Sequence, residues 1–273
     1  MQSPAVDRRP KFGGDTQFQS EVRRRVHEFL SSNGRRERDC ASMYGKTAFL
    51  LGAHLGIWSL LVFWASVWWQ ALPLAILLGL ATAAIGFNVQ HDGGHNAYSD
   101  RPWMNRAMAR TLDFVGGSSW YWHFKHGVFH HTYTNVVGHD DDMELGVLGR
   151  LTPHGARLRF HRFQHLYLWA LYGFLAMKWH LFDDFRAFVT GRVGSHRVPR
   201  PRGVELLVFF VGKAIFLSWT LIIPLMLFSV GTVALYYVIA SLFLGLVLSV
   251  VFQLAHVVEE AELEGPYGPM VLV

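Results

Sequence analysis

The chain contains one cysteine, Cys40, in 273 residues. A single thiol excludes an internal disulfide and a thiolate metal cluster within one chain. Charge is also scarce: Asp, Glu, Lys and Arg make up 16% of the residues, against about 25% in a soluble domain. That shortfall, beside 51% hydrophobic residues and ten tryptophans, points to a lipid environment, because Trp gathers at membrane interfaces. No apolar run opens the chain. Residues 1–46 are polar and Arg-rich (RRRVHEF, NGRRERD), so no secretory signal is expected. Two metal signatures are absent: the HExxH of zinc proteases and the E-x-x-H of soluble di-iron bundles. The formal charge of +5 does not argue for nucleic acid, since the arginines flank apolar segments and read as a topology signal.

What is present is grease in four blocks. Residues 47–69 hold His54 as their one titratable group. At 1.5 Å per residue such a run reaches about 34 Å, enough for a bilayer core. Residues 71–89 form a second run. Gln70 and Pro73 are expected to mark a tight turn between the two, because proline interrupts a helix. Residues 204–230 and 231–255 form a second pair joined at Gly231, with Glu205 and Lys213 in its first half. The stretch between the pairs holds most of the histidines and no uncharged run of bilayer length. Within it, 157–186 has helical periodicity and a short apolar centre, which suits an interfacial or buried helix.

These blocks predict an all-α integral membrane protein: four transmembrane helices in two hairpins, with a helical, His-rich cytoplasmic cap. The expected layout is a cytoplasmic segment 1–46, a hairpin 47–90, a histidine-rich region 91–203, a hairpin 204–256 and a cytoplasmic tail 257–273. Arginine enrichment puts residues 1–46 and 97–203 on the cytoplasmic side. His91 and His256, at the ends of the second and fourth runs, then emerge on the face that carries HGVFHH (126–131).

The histidine spacing carries chemistry. At average content the window 91–131 would hold about two histidines; it holds six, at 91, 95, 123, 126, 130 and 131. His91 and His95 are four residues apart, as are His126 and His130, so each pair shares a helix face, and His131 adds a neighbour. Neutral imidazole is a ligand for Fe, Zn and Cu. Three or four imidazoles could hold one zinc, but five or more suggest two metals. Nitrogen-rich sites suit iron, and an iron pair can activate O2. His54, His154, His180 and His196 read instead as interfacial residues, each with one hydrogen bond.

VQHDGGHNAYSDRPWMNR and WHFKHGVFHHTYTNVVGHDDDME resemble the first two histidine boxes of membrane fatty acid desaturases. The following text (RFQHLYLWALYGFLAMKWHLFDDF, then FQLAHVVEEAE) is similar to bacterial acyl-lipid and acyl-CoA desaturases of the linoleoyl-CoA type. The likeness runs from about residue 15 to 262. It implies two iron ions, O2 as co-substrate, electrons from an external donor, and a cis double bond as product. The residues matching the family's ligands are His91, His95, His126, His130 and His131, with His256 where a further ligand stands. Gln253, one turn before His256, is a candidate to hold a metal-bound water. His123 and His139 are expected at the surface or behind the ligands. Asp140, Asp141 and Asp142 read as a solvated loop, with support of the ligands as the second reading.

No HH pair follows His131 and the chain stops at Val273, so a third box of Q-x-x-H-H type is missing and the chain reads as truncated. No HPGG haem motif occurs either. The expected partners are a fatty acyl-CoA or acyl-lipid, membrane lipid, and a separate ferredoxin or cytochrome b5 with its reductase. The competing readings are a di-iron lipid hydroxylase of the same superfamily and an inactive relic.

Overall fold

The computed structural model describes residues 16–143 and 145–256. Its longer helices are α1 (Thr16–Ser32), α2 (Ala41–Phe63), α3 (Trp68–Gly94), α4 (Pro102–Ala109), α5 (119–130), α6 (Gln164–Lys178), α7 (Asp184–Thr190), α8 (Val204–Leu225) and α9 (Val230–His256). One two-residue hairpin pairs β1 (Arg192–Val193) with β2 (His196–Arg197).

Helices α2, α3, α8 and α9 are long and apolar enough to cross a membrane. They are apolar on every side, the mark of a helix that faces lipid as well as protein. Phe49, Phe63, Leu207 and Leu254 all point outward, each more than 60% exposed. The protein is an all-α integral membrane protein built on two hairpins, α2–α3 and α8–α9. Helices α3 and α9 lie backbone to backbone. A Cβ on Gly79 would fall on the Ala240 carbonyl, and one on Gly245 would fall on the Gly173 carbonyl of α6. Small residues permit such close approach where no hydrophobic force drives helices together in lipid.

The first turn lies at residues 64–67, not at 70–73 as the sequence suggests. Gln70 stands at the third position of α3, and its Oε1 accepts hydrogen bonds from the Ser66 backbone N–H (3.0 Å) and hydroxyl (3.3 Å). It satisfies donors that a helix start leaves open. Pro73 falls inside α3, near enough to its start that one lost backbone bond is tolerated. Trp64, Trp68 and Trp69 stand exposed around this turn, as expected at a membrane interface.

Lys213 and Glu205, the charges that weaken α8 as a sequence prediction, are both paired. Glu205 meets Arg110 at 2.7 Å at the helix start. Lys213 is buried, 2.6 Å from Asp184 Oδ2 and 2.6 Å from the Gly116 carbonyl. The segment 157–186 becomes α6 and a widened turn (Trp179–Asp183) leading into α7. It lies along α9, with Gly173 against Leu242. The ends of the hairpins, α4, α5 and α6 meet at one end of the molecule, where the histidines gather.

Candidate metal centre

Two chain segments build the centre. The first is the end of α3, where a π-helical turn (Gly86–Gln90) precedes His91–Gly94. The glycines of HDGGH are steric necessities. A Cβ on Gly93 would approach the Ala109 nitrogen and Met108 Cβ to 2.6 Å, and one on Gly94 would enter the Trp122 ring. Without side chains at 93 and 94, the box docks onto α4 and Trp122. The Trp122 ring in turn packs against His91, His95 and His126, with centroids 5.8, 5.6 and 4.7 Å away.

The second segment is the π-helix His123–His130 that completes α5. Its i→i+5 bonding widens the turn, a device common at functional sites. His130 and His131, four and five residues after His126, both return beside it. Their ring centroids lie 5.0 and 4.8 Å from that of His126.

The five rings form one cluster. His91 Nε2 and His126 Nε2 are 3.2 Å apart, and His95 Nε2 and His131 Nε2 are 3.3 Å apart. Two nitrogens bound at about 2.1 Å to one metal sit about 3.0–3.4 Å apart at octahedral or tetrahedral angles, so the spacing fits a shared cation. The donor atoms of His91, His95 and His126 lie within 4.8 Å of one another, as do those of His126, His130 and Asp142. The His126 Nδ1 is buried without a hydrogen-bond partner. A nitrogen-rich donor set with an orphaned ring nitrogen fits a metal better than it fits a packed core.

The acidic loop departs from the solvated reading. Asp140 is 1% exposed because its carboxylate is consumed by the fold. It accepts from the Asn135 and Asp142 backbone N–H groups and lies 3.0–3.1 Å from His130 Nδ1. A carboxylate on Nδ1 fixes the ring and leaves Nε2 for a ligand. Asp142 sits 3.6 Å from His130 Nδ1, 3.8 Å from His126 Nδ1 and 3.0 Å from Lys125 Nζ. Asp141 faces Lys125 at 3.5 Å.

Burial and the neighbouring imidazoles hold His95 down at about 4. Burial also pulls His130 down, but the hydrogen bond and charge of Asp140, with Asp142, outweigh it and leave that ring raised. Burial pushes Asp142 up, and the charge of Lys125 more than reverses this, holding it well below the usual carboxylate range.

The other sequence candidates separate. His123 is exposed. His139 lies in an aromatic stack with Tyr133 and His196, and its carbonyl accepts from His196 Nε2 at 2.8 Å. Gln253 is half-buried on α9. The side chain of His256 lies outside the described residues, although α9 reaches that position. Gln90, which the sequence did not single out, is buried beside His91 with an unpartnered Nε2.

An apolar cavity of about 230 Å³ runs between the spans, lined by Trp58, Val62, Leu78, Phe216, Tyr237 and Leu244 among others. A smaller one, of about 40 Å³, is bounded by His91, Gln90, Trp122, Trp179 and Phe252. The two share Thr82, Val115, His180 and Leu244 as walls, so they lie side by side, and the smaller one reaches His91.

A model described as "Fatty acid desaturase" matches residues 66–270. The chain belongs to the fatty acid desaturase family. Among its relatives, the sn-1 linoleoyl-lipid 6-desaturase of Arthrospira platensis is 37% identical over 259 residues, 93% of this chain and 70% of that protein. The protein of the same description in Synechocystis sp. is 34% identical over 261 residues, 95% of this chain and 73% of that protein. The acyl-lipid (8-3)-desaturase of Physcomitrium patens is 34% identical, over 90% of this chain and 52% of its own length. In this desaturase, both boxes and the acidic loop fall within the matched residues.

Proposed function

We propose that the chain is an O2-dependent acyl desaturase that places a cis double bond in the acyl chain of a membrane lipid. The observation that carries this reading is the five-imidazole cluster, whose His91 lines a small cavity that shares walls with the larger apolar cavity between the spans. In this reading His91, His95, His126, His130 and His131 would hold two iron ions, and His256 would be a further ligand. The bound iron pair supplies the oxidant: O2 accepts two hydrogens from adjacent methylenes and two further electrons from a donor, with two protons, and leaves as two waters.

The protein's own part is positional. An unactivated methylene offers no group to an acid or base, so specificity rests on where the cavity stops the chain. Trp58, Leu78, Phe216 and Leu244 give that cavity apolar walls. Asp140 holds His130 in one tautomer through Nδ1, and Lys125 keeps Asp142 ionised beside it. The linoleoyl-lipid relatives favour an acyl-lipid, already unsaturated, over acyl-CoA. The Arg-rich segments before α2 and after α3 support a cytoplasmic site. There a ferredoxin, or cytochrome b5 with its reductase, would deliver electrons. The regions 91–203 and 204–256 would then act as the histidine cap and the second half of the channel.

The test is lipid analysis of cells expressing the chain, read by mass spectrometry. The expected product is lighter than its precursor by two hydrogens, and it is absent with His126→Ala. A product heavier by one oxygen would mean hydroxylation instead.

A further inference from the structure

Helix α1 (Thr16–Ser32) carries an apolar face that the described residues leave uncovered. Phe18, Val22, Val26 and Phe29 are 76%, 43%, 51% and 59% exposed. At 100° per residue these four and Leu30 occupy an arc of about 120° on the helix. Arg25 borders the arc on one edge and Arg23 on the other. The acids lie on the far side, where Arg24 bridges Glu21 and Glu28, each at 2.7 Å; Arg25 gives Glu21 its Nε–H at 2.7 Å. An apolar stripe edged by arginines, with its acids turned away, is the pattern of a helix lying in a membrane surface.

The chain leaves this helix little choice of neighbour. Residues 33–40 separate α1 from the span α2, a tether of about 29 Å at full extension. The tether is not extended. Glu37 returns to His27 of α1 at 2.8 Å. Asp39 is pinned at the histidine end of the molecule: it donates its N–H to the Tyr98 carbonyl (3.2 Å) and accepts from the Ser99 hydroxyl (2.7 Å) and the Asp100 N–H (2.9 Å). So α1 is held close to the point where α2 enters the bilayer. Three further arginines, at 35, 36 and 38, are exposed on the tether. Arginine stems lie along apolar surface while the guanidinium pairs bidentately with phosphate.

We propose that α1 lies in the headgroup layer of the bilayer that α2 crosses. Phe18, Val22, Val26 and Phe29 dip toward the acyl chains, and Arg23 and Arg25 sit on lipid phosphates, with anionic phospholipid preferred. The helix thereby docks the histidine end of the molecule against a leaflet. This goes beyond the catalytic reading and does not depend on it.

The test uses the full chain in lipid nanodiscs, with Cys40→Ser as background and an environment-sensitive fluorophore on Val22→Cys or Arg24→Cys. Both positions are exposed, so neither label disturbs packing. The label at 22 should be quenched by lipid-borne spin labels about tenfold more than the label at 24, with aqueous iodide giving the reverse order. Replacing part of the phosphatidylcholine with phosphatidylglycerol should strengthen the contrast, and Arg23→Gln with Arg25→Gln should abolish that gain. Equal iodide quenching at both positions would place the helix in water and overturn the proposal. A label at 22 shielded from both quenchers would mean that protein, such as a second copy, covers the face, and would overturn it equally. An unchanged phosphatidylglycerol effect in the double variant would refute the role of the arginines.

Discussion

His91 Nε2 stands 3.2 Å from His126 Nε2, although 35 residues separate them. Without a metal the two rings share one N–H···N hydrogen bond. Their approach makes sense as two donors aimed at one cation. His126→Ala should therefore abolish tight metal binding, while His123→Ala, at an exposed position three residues away, should leave it within about twofold. Isothermal titration of the metal-free protein with ferrous iron or cobalt checks both, with loss of about 10–100-fold or more expected for His126→Ala.

Gly94 is predicted to be as necessary to the centre as a ligand. A methyl group there enters the Trp122 ring, and Trp122 stacks on His126 at 4.7 Å. Gly94→Ala should weaken metal binding by about tenfold or more while preserving helix content, because overpacking of this kind shifts neighbours at about 1–3 kcal/mol. Circular dichroism beside the metal titration separates the two effects.

Protons and metal compete for the same rings, so affinity should fall on acidification. His95, held at about 4 by burial and by its neighbouring imidazoles, loses its metal-ready form only in strong acid. His130 is raised by Asp140 against the pull of burial, so it takes up a proton first, above the ordinary His value of about 6.5. Asp140→Asn removes that support and should move the onset of metal loss to lower pH, even as it loosens the ring. Cobalt absorption followed against pH reads the midpoint directly.

The Lys213–Asp184 pair ties α8 to α7 at 2.6 Å. Lys213→Ala would leave Asp184 buried beside the Trp179 Nε1 donor alone. The expected loss is about 3–5 kcal/mol, the usual result of orphaning a buried charge. Lys213→Met with Asp184→Leu should recover much of it. Thermal unfolding in detergent, compared across the three variants, tests this.

The spans were legible in the sequence because lipid admits few alternatives: long uncharged runs have one stable form there. The convergence of His91 and His95 with His126, His130 and His131 was also legible, from hydropathy and spacing. The π-helical turns at 86–90 and 123–130 were not, since an i→i+5 ladder leaves no composition signal. Asp140 looked like loop because two of its partners are backbone N–H groups and the third, His130, lies ten residues back. Lys213 looked out of place because Asp184 lies 29 residues away, a pairing no local pattern announces. Gln70 and Pro73 misplaced the first turn by a few residues because a capping glutamine looks like a loop residue in sequence.

The most direct test is iron-edge X-ray absorption on the purified chain loaded with ferrous iron. The account predicts a first shell dominated by imidazole nitrogen, which disappears in His126→Ala. A shell of oxygen alone, or one unchanged by that substitution, would contradict it.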